Sequence, residues 1–345
     1  MNIQCPLPTK TDEIVKLGHG SGGEMTQRLL KNYIQPLFNN SWVSQAHDSA
    51  TLPWDADRLV FTTDSFVITP LFFPGGNIGE LAVYGTVNDL AMGGAEAKFL
   101  SCGLILEEGL PLAILERVLI SMAEAASKTG VKLVTGDTKV VERGKGDGIY
   151  INTSGVGVLE SNQSIDPSRI RRGDLILLSG DIGRHGISIM ASREGLEFES
   201  SLASDCAPLN GAVSKLLRAG VEIHCLRDLT RGGLATALVE LAESSNRSFV
   251  LEESSIPISE AVQGACEILG LDPLYVANEG RFVAIIPESA SELAIATLRE
   301  TDVGTSCEII GRVEGEGYAQ VILRNSLGCD RLLQRLPGEQ LPRIC

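Results

Sequence analysis

Strand-like apolar runs alternate with helical runs along almost the whole chain. That alternation restricts the fold to α/β or α+β layers. Leu59–Thr63 reads as a strand ending at Asp64, residues 77–92 as a helix, and 97–106 as a second strand. Pro111 opens a helix to about Lys128, with Gly130 placed as its C-cap. Val131–Thr135 is a strand expected to end in Gly136-Asp137, and Ile149–Leu159 closes this half. The second half offers strand Leu175–Ser179, helices 208–219 and 232–244, strand 248–252 and helix 258–269. Strand Phe282–Pro287, helix 288–300 and strands near 308–313 and 318–324 complete it. A chain of 345 residues exceeds one ordinary core. Two domains are therefore expected, 1–165 and 166–325, divided at the polar, turn-rich stretch 166–173. Beyond Arg324 periodicity fades, and 326–345 reads as a flexible tail.

The 44 acidic residues outnumber 29 basic ones, for a net charge of −15. That excludes nonspecific nucleic-acid or anionic-membrane binding as the main activity, since both need a basic surface. It also makes polyphosphate capture awkward unless a divalent cation bridges carboxylates to phosphates. Met1–Lys10 is polar, and no apolar run approaches the ~18 residues of a membrane span. The eight cysteines include no Cys-x-x-Cys pair, so zinc and thioredoxin-like chemistry lack support. A reduced, cytoplasmic protein is expected.

Asp48, Asp64, Asp89 and Asp137 share a polar or glycine-rich context near apolar segments. Carboxylates at strand ends point into the crevice where α/β sheets bind ligands. Several of them together need a hard cation such as Mg²⁺ between them, although each alone could equally cap a turn. Gly18-His19-Gly20-Ser21-Gly22-Gly23 formally matches G-x-G-x-x-G, but it lacks a convincing preceding strand and a following ribose-binding acid. A nicotinamide site is rejected. Glycines ahead of a helix can still present backbone N–H groups to phosphate, or can form a plain flexible turn. No Walker A motif occurs. Asp228-Leu229-Thr230-Arg231-Gly232-Gly233 is a second glycine-rich lead-in to an apolar helix, and Asn278-Glu279-Gly280-Arg281 puts a carboxylate in a tight turn. His19, His47, His185 and His224 show no metal-ligand spacing.

Cys345 ends the chain, so it is not a prenylation site, which needs the Cys four residues from the end. A tail of about 13 residues reaches up to about 45 Å when extended. It could carry a thiol between two distant sites; an inert terminal thiol is the alternative.

The motifs together carry a resemblance. They are Gly-Ser-Gly-Gly at 20–23, Asn-Asp-Leu-Ala-Met-Gly-Gly-Ala at 88–95, Thr-Gly-Asp-Thr-Lys-Val-Val at 135–141 and Gly-Asp-Ile-Gly-Arg-His-Gly at 180–186. Ser-Asp-Cys-Ala-Pro-Leu at 204–209, Arg-Asp-Leu-Thr-Arg-Gly-Gly-Leu at 227–234, Asn-Glu-Gly-Arg at 278–281 and Pro-Arg-Ile-Cys at 342–345 complete the set. The chain resembles the HypE family of hydrogenase maturation proteins. That family sits within the ATP-binding superfamily of aminoimidazole ribonucleotide synthetase (PurM-like) and selenophosphate synthetase.

The resemblance implies a two-domain PurM-like fold, a homodimer formed through the N-terminal domains, and ATP with Mg²⁺ in a cleft. Nucleotide contacts would come from Gly20, Ser21, Gly22, Gly23, Asn88 and Gly136, and metal contacts from some of Asp48, Asp64, Asp89, Asp137 and Asp228. It implies that a HypF-type carbamoyltransferase loads Cys345, and that ATP-dependent dehydration turns the thiocarboxamide into a thiocyanate. Cyanide then passes to iron on a HypC–HypD complex. Glu279 and Lys139 would stand near the carboxamide. Two rivals remain: another superfamily kinase or synthetase with no use for Cys345, and a nucleotide-binding scaffold without catalysis.

Overall fold

A computed structural model describes residues 23–29, 50–54, 57–159, 161–194, 202–316, 318–338, 341 and 343–345. Gly20, Ser21, Gly22, Asp48, His19 and His47 lie outside the described residues. After a short helix α1 (Glu24–Leu29) come β1 (Ala50–Trp54), β2 (Asp57–Phe66) and a small hairpin of β3 (Phe72–Phe73) and β4 (Gly76–Asn77). Helix α2 (Ile78–Met92), β5 (Ala95–Glu107), α3 (Leu112–Thr129), β6 (Lys132–Val141) and β7 (Ile149–Leu159) follow. The strands form a five-stranded sheet in the order β1-β2-β7-β5-β6, in which only β5 and β6 run parallel.

Helix α2 begins at Asn77, whose side chain accepts from the Gly79 and Glu80 N–H groups. Thirteen of its fifteen residues are buried, all but Glu80 and Asp89. A helix that is apolar all round must be covered on every side. One side rests on the sheet, α3 covers another, and the second half of the chain closes the rest. Pro111 caps α3 in extended conformation, one position before its first turn, and Gly130 ends it at φ 75° as the sequence predicts. The strand expected to stop at Gly136-Asp137 runs on to Val141 instead. Its register with Cys102–Glu107 of β5 continues straight through, and Val140 and Val141 are residues that favour strands.

The second half comprises β8 (Leu175–Leu178), α4 (Arg184–Glu194), α5 (Asn210–Arg218), β9 (Cys225–Asp228), α6 (Gly233–Ser245) and β10 (Arg247–Glu252). It continues with α7 (Glu260–Leu269), β11 (Phe282–Ile286), α8 (Ser291–Arg299), β12 (Glu308–Glu316), β13 (Val321–Arg324) and β14 (Asp330–Leu333). These strands build a seven-stranded sheet ordered β14-β13-β10-β12-β8-β11-β9. β8 and β11 are buried throughout, and their unbroken apolar runs are what a strand covered on both faces requires. Ile176, Leu178, Val283 and Ile285 pack with α6 on one face, while Leu177, Phe282 and Ala284 pack with α5 and α8 on the other.

Two further features depart from the sequence expectation. Helix α4 and strands β1, β9 and β14 form where no element is expected. The stretch after Arg324 is structured: β14 pairs antiparallel with β13, and Leu341 and Ile344 are buried in a core shared with α2, α3, α4 and α7. Spaced apolar residues at a chain end carry too short a pattern to reveal such docking. Among the described residues no helix is long and apolar enough to cross a membrane.

Asn88 braces α2 against the second half. Its Nδ2 donates to the Ala207 carbonyl at 3.1 Å, and its Oδ1 accepts from the Leu209 N–H at 2.7 Å. Expected in nucleotide contact, it has both ends of its amide engaged in this joint. Asn88→Ala should therefore cost about 2–4 kcal/mol, because both partners lose their bond. A urea titration of the variant against the parent chain measures it.

Candidate active site

Glu279 lies in the loop leading into β11 and is 3% exposed. A tight local arrangement holds it there. The Asp205 carboxylate accepts from the Glu279 N–H (3.3 Å) and the Gly280 N–H (3.2 Å), and Ala207 N–H donates to the Glu279 carbonyl (3.3 Å). A Cβ at position 280 would sit 1.9 Å from the Asp205 carbonyl oxygen, so only glycine permits the approach. Asn278 completes the clamp: its Oδ1 accepts from the Gly183 N–H and its Nδ2 donates to the Leu229 carbonyl. Glu279 Oε1 itself has no hydrogen-bond partner among the described residues. Burial, then the negative charges of Asp228, Asp64 and Asp205, push its carboxyl well above the usual range, offset only partly by Arg231.

Asp228 ends β9 at its junction with this loop and is buried. Asp64 comes from β2 and meets Arg231 at 3.6 Å. Arg231 stands just before α6, where Gly232 (φ 77°) and Gly233 (φ 62°) turn the chain sharply. Asp64 first, then Cys345, hold the Arg231 guanidinium even more firmly protonated than usual, with a further contribution from Asp89. Asp89 accepts from the Thr62 hydroxyl at 2.9 Å.

Cys345 is in the same place. A main-chain carboxyl oxygen of Cys345 accepts from the Val67 N–H at 3.0 Å, one residue beyond β2. The Ile344 carbonyl lies 2.5 Å from His185 Nε2, and Arg343 pairs with Asp147 at 2.5 Å. Burial pushes the Cys345 thiol up to about 12, Arg231 pulls it down, and Glu279, Asp64 and Asp228 reinforce the rise. The docked sulfur is therefore a protonated thiol at neutral pH, although Cys345 keeps partial contact with solvent. The rise favours docking fully below the ordinary thiol value near 9. Docking weakens as pH climbs from there towards 12, because the undocked tail ionises first.

The structure thus brings Cys345, Glu279, Asp64, Asp89 and Asp228 together around Arg231. Asp137 and Lys139 lie elsewhere in the same chain. Register runs from Asp64 to Thr153, Thr153 to Cys102 and Cys102 to Gly136, three strand spacings or ~14 Å. Asp64 shares the helix-covered face of the sheet with Thr153, whereas Asp137 and Lys139 alternate with it and fall on the uncovered face. Lys139 is 70% exposed and pairs with Asp137 at 2.8 Å. Gly136, on the covered face, lines a cleft of about 620 Å³ between α3 and the β5–β6 edge with Cys102, Leu104 and Met122, and Asp137 only borders it. One chain's Asp137 cannot share an ion with its own Asp64.

Gly23, at the end of the glycine run, is buried beside α1, which is held to the second half by Gln27 Nε2 donating to Glu240 at 2.8 Å. Asp205 and Arg231 escape a reading of single motifs. Arg231 is signalled by the Thr-Arg-Gly-Gly turn; Asp205 lies in the Ser-Asp-Cys-Ala-Pro-Leu motif, but nothing local reveals its role, because its two N–H partners are more than 70 residues away.

Residues 46–159 match the family described as AIR synthase related protein, N-terminal domain, and residues 171–324 match its C-terminal domain. Fold and site thus define a two-domain, PurM-like protein of the AIR synthase class. The carbamoyl dehydratase HypE of Azotobacter vinelandii is 49% identical over 331 residues, covering 96% of this chain and 97% of that one. The HypE of Cupriavidus necator is 47% identical, with 100% and 98% covered. A crystal structure of a HypE in complex with ATP superposes at TM-score 0.81 with 47% identity, covering 95% of this chain and 99% of that one. A HypE from a HypE–HypF complex superposes at 0.85 with 42% identity, covering 89% and 99%. The chain belongs to the HypE family of hydrogenase maturation proteins. A thiamine monophosphate kinase from Aquifex aeolicus, 18% identical at TM-score 0.65 with 90% and 99% covered, shares the fold alone.

A carboxyl with a raised native value stabilises the fold most at low pH, and that contribution is lost as pH rises towards the raised value. Glu279→Gln removes the penalty. Its melting temperature should exceed the parent's by about 2–4 °C at pH 7–8 and converge with it near pH 4–5, as read by calorimetry.

Proposed function

We propose that the chain dehydrates an S-carbamoyl group on its own Cys345 to an S-cyanate, at the expense of ATP. One observation carries this reading: the docked tail sets the Cys345 thiol among the same buried charges as Glu279, a carboxylate with an unpartnered oxygen. The names of the relatives, carbamoyl dehydratase HypE, and the ATP-bound relative support it.

A carboxamide oxygen is a very poor leaving group until it is phosphorylated. In the reading advanced here, that oxygen attacks the γ-phosphorus and ADP departs. The carbon–oxygen bond then breaks to release phosphate, while the nitrogen gives up both protons and a C≡N bond forms. The sum is thiocarboxamide plus ATP giving thiocyanate, ADP and phosphate. Glu279 suits the proton acceptor, because burial raises its basicity and its free oxygen needs a partner. Arg231, fixed by Asp64, is placed to offset charge on a phosphoryl group.

Among the described residues no three His, Cys, Asp or Glu side chains are placed to hold a metal ion unaided. Asp64, Asp89 and Asp228 are nonetheless the hard oxygen donors that Mg²⁺ takes, one or two at a time, together with phosphate oxygens. They would hold the ion, and Mg²⁺ would neutralise phosphate charge in this acidic chain.

The uncovered face of the five-stranded sheet exposes Phe61, Phe99 and Ile105, the second of them 47% exposed. A homodimer formed through this face would bury them and would carry Asp137 and Lys139 into the interface. We place their contribution to nucleotide binding there, not beside Glu279 of the same chain. Phe99→Glu should leave a monomer in sedimentation equilibrium; a dimer that persists would overturn this arrangement.

Loading requires a thiolate, which the docked site suppresses, so the tail must be carbamoylated while undocked. A HypF-type carbamoyltransferase fits that step, consistent with the HypE–HypF complex of a relative. Cyanide would then pass to iron on a HypC–HypD complex in the cytoplasm. Mass spectrometry of the C-terminal peptide tests the scheme, after incubation with the transferase, carbamoyl phosphate and ATP. A carbamoyl adduct that loses water only with Mg-ATP is expected. An adduct stable under those conditions would instead support a scaffold. Cys345→Ala should still bind ATP, because Arg231 and the carboxylates that would face the phosphates and Mg²⁺ stay in place without the thiol.

A further inference from the structure

The motif Gly180-Asp181-Ile182-Gly183-Arg184-His185-Gly186 has no role in the chemistry above, yet it lies under the docked tail. Its last residues open α4. A Cβ on Gly186 would stand 2.8 Å from Leu341 Cδ1, so the missing side chain leaves the space that Leu341 fills. His185 is fully buried and packs edge-on against Phe73, with ring centroids 5.5 Å apart. The Ile344 carbonyl can only accept, so His185 Nε2 carries the hydrogen in their 2.5 Å contact. Burial lowers the His185 value and keeps the ring neutral, leaving Nδ1 as an acceptor. Ser204 Oγ, 2.8 Å from Nδ1, supplies the matching donor, and its own lone pair accepts from the Cys206 N–H at 3.0 Å. Every atom in this relay has a partner of the right kind. It ends on the tail. At the other end of α4, Arg193 donates to the carbonyls of Thr69 and Arg343.

Where α4 meets the tail, it touches the carbonyls of Arg343 and Ile344 and the Leu341 side chain. The sulfur of Cys345 accepts and donates no hydrogen bond among the described residues. We propose that α4 is the receptor for the tail and that His185 is a positioning residue. By holding the Ile344 carbonyl it presents whatever the neighbouring sulfur carries to Glu279, without itself touching that cargo. A receptor of this kind serves the thiocarboxamide and the thiocyanate alike.

The inference rests on the dehydratase reading for its consequence, but not for its first measurement. Alkylation of Cys345 by iodoacetamide, followed on the C-terminal peptide, reports how often the tail is undocked. His185→Leu removes the donor and should raise that rate about tenfold. It should slow loss of water from the carbamoylated tail by a similar factor, while loading by the transferase stays as fast or becomes faster. His185→Gln keeps an N–H for the Ile344 carbonyl and should restore both rates to within about threefold of the parent. Leu341→Ala, altered on the tail itself, should raise alkylation without disturbing α4. ATP affinity serves as the check on folding for each variant. Unchanged alkylation in His185→Leu and Leu341→Ala, or Leu and Gln variants that are equally impaired, would overturn the proposal. If alkylation responds as expected but the parent chain never dehydrates a carbamoyl tail, the receptor stands and the dehydratase reading falls.

Discussion

Helix α2 cannot face water on any side, and the rest of the architecture follows from covering it. The five-stranded sheet takes one side and α3 another, and the second half of the chain must close the remainder. The closure is fixed in register by Asn88, whose amide is satisfied only when Ala207 and Leu209 arrive. Once the halves are locked, the ends of β2 and β9, the loop before β11 and the turn before α6 meet along one seam. The only residues of α2 that are not buried are Glu80 and Asp89, and Asp89 looks into that seam.

The seam concentrates negative charge where water is scarce. Glu279, Asp228 and Asp205 are all buried there, with Arg231 as the counter-charge the structure places against Asp64. Such an arrangement opposes stability, because each carboxylate raises the cost of ionising the next. Asp205 is compensated by two backbone N–H groups. Glu279 Oε1 has no such partner, and Arg231 offsets its charge only in part, so it is the costliest carboxylate of the seam to ionise. The tail adds the second half of the logic. It is gripped by its backbone, by the Arg343 guanidinium and by two apolar side chains, Leu341 and Ile344, while the Cys345 sulfur takes no part in the grip.

Much of the architecture is legible in the sequence, because period and punctuation there are strong. Ile149–Leu159 is a strand with the bounds its alternation predicts, and Gly130 ends α3 in the left-handed conformation that favours glycine. Helix α4 is not legible: His185, Gly186 and Ser188 are buried by neighbours far away in sequence, so its inner face shows no apolar stripe. Strand β6 outruns its expected end because pairing with β5 overrides the break suggested by Gly136-Asp137.

For the site, residue types and motifs pick out Asp64, Asp89, Asp228, Glu279 and Cys345, and the acidic composition points to a cation-bridged phosphate chemistry. Composition and motif are local properties, so these survive reading one residue after another. Tertiary structure alone decides that Asp137 and Lys139 stand three strands away on the opposite face, that Asn88 is a brace, and that Asp205 and Arg231 complete the seam. It also decides where the tail docks, with Leu341 and Ile344 in the core and Ile344 held at His185. The reason is the same in each case: burial, facing and charge coupling depend on which distant segments pack together, and no window of sequence contains both partners.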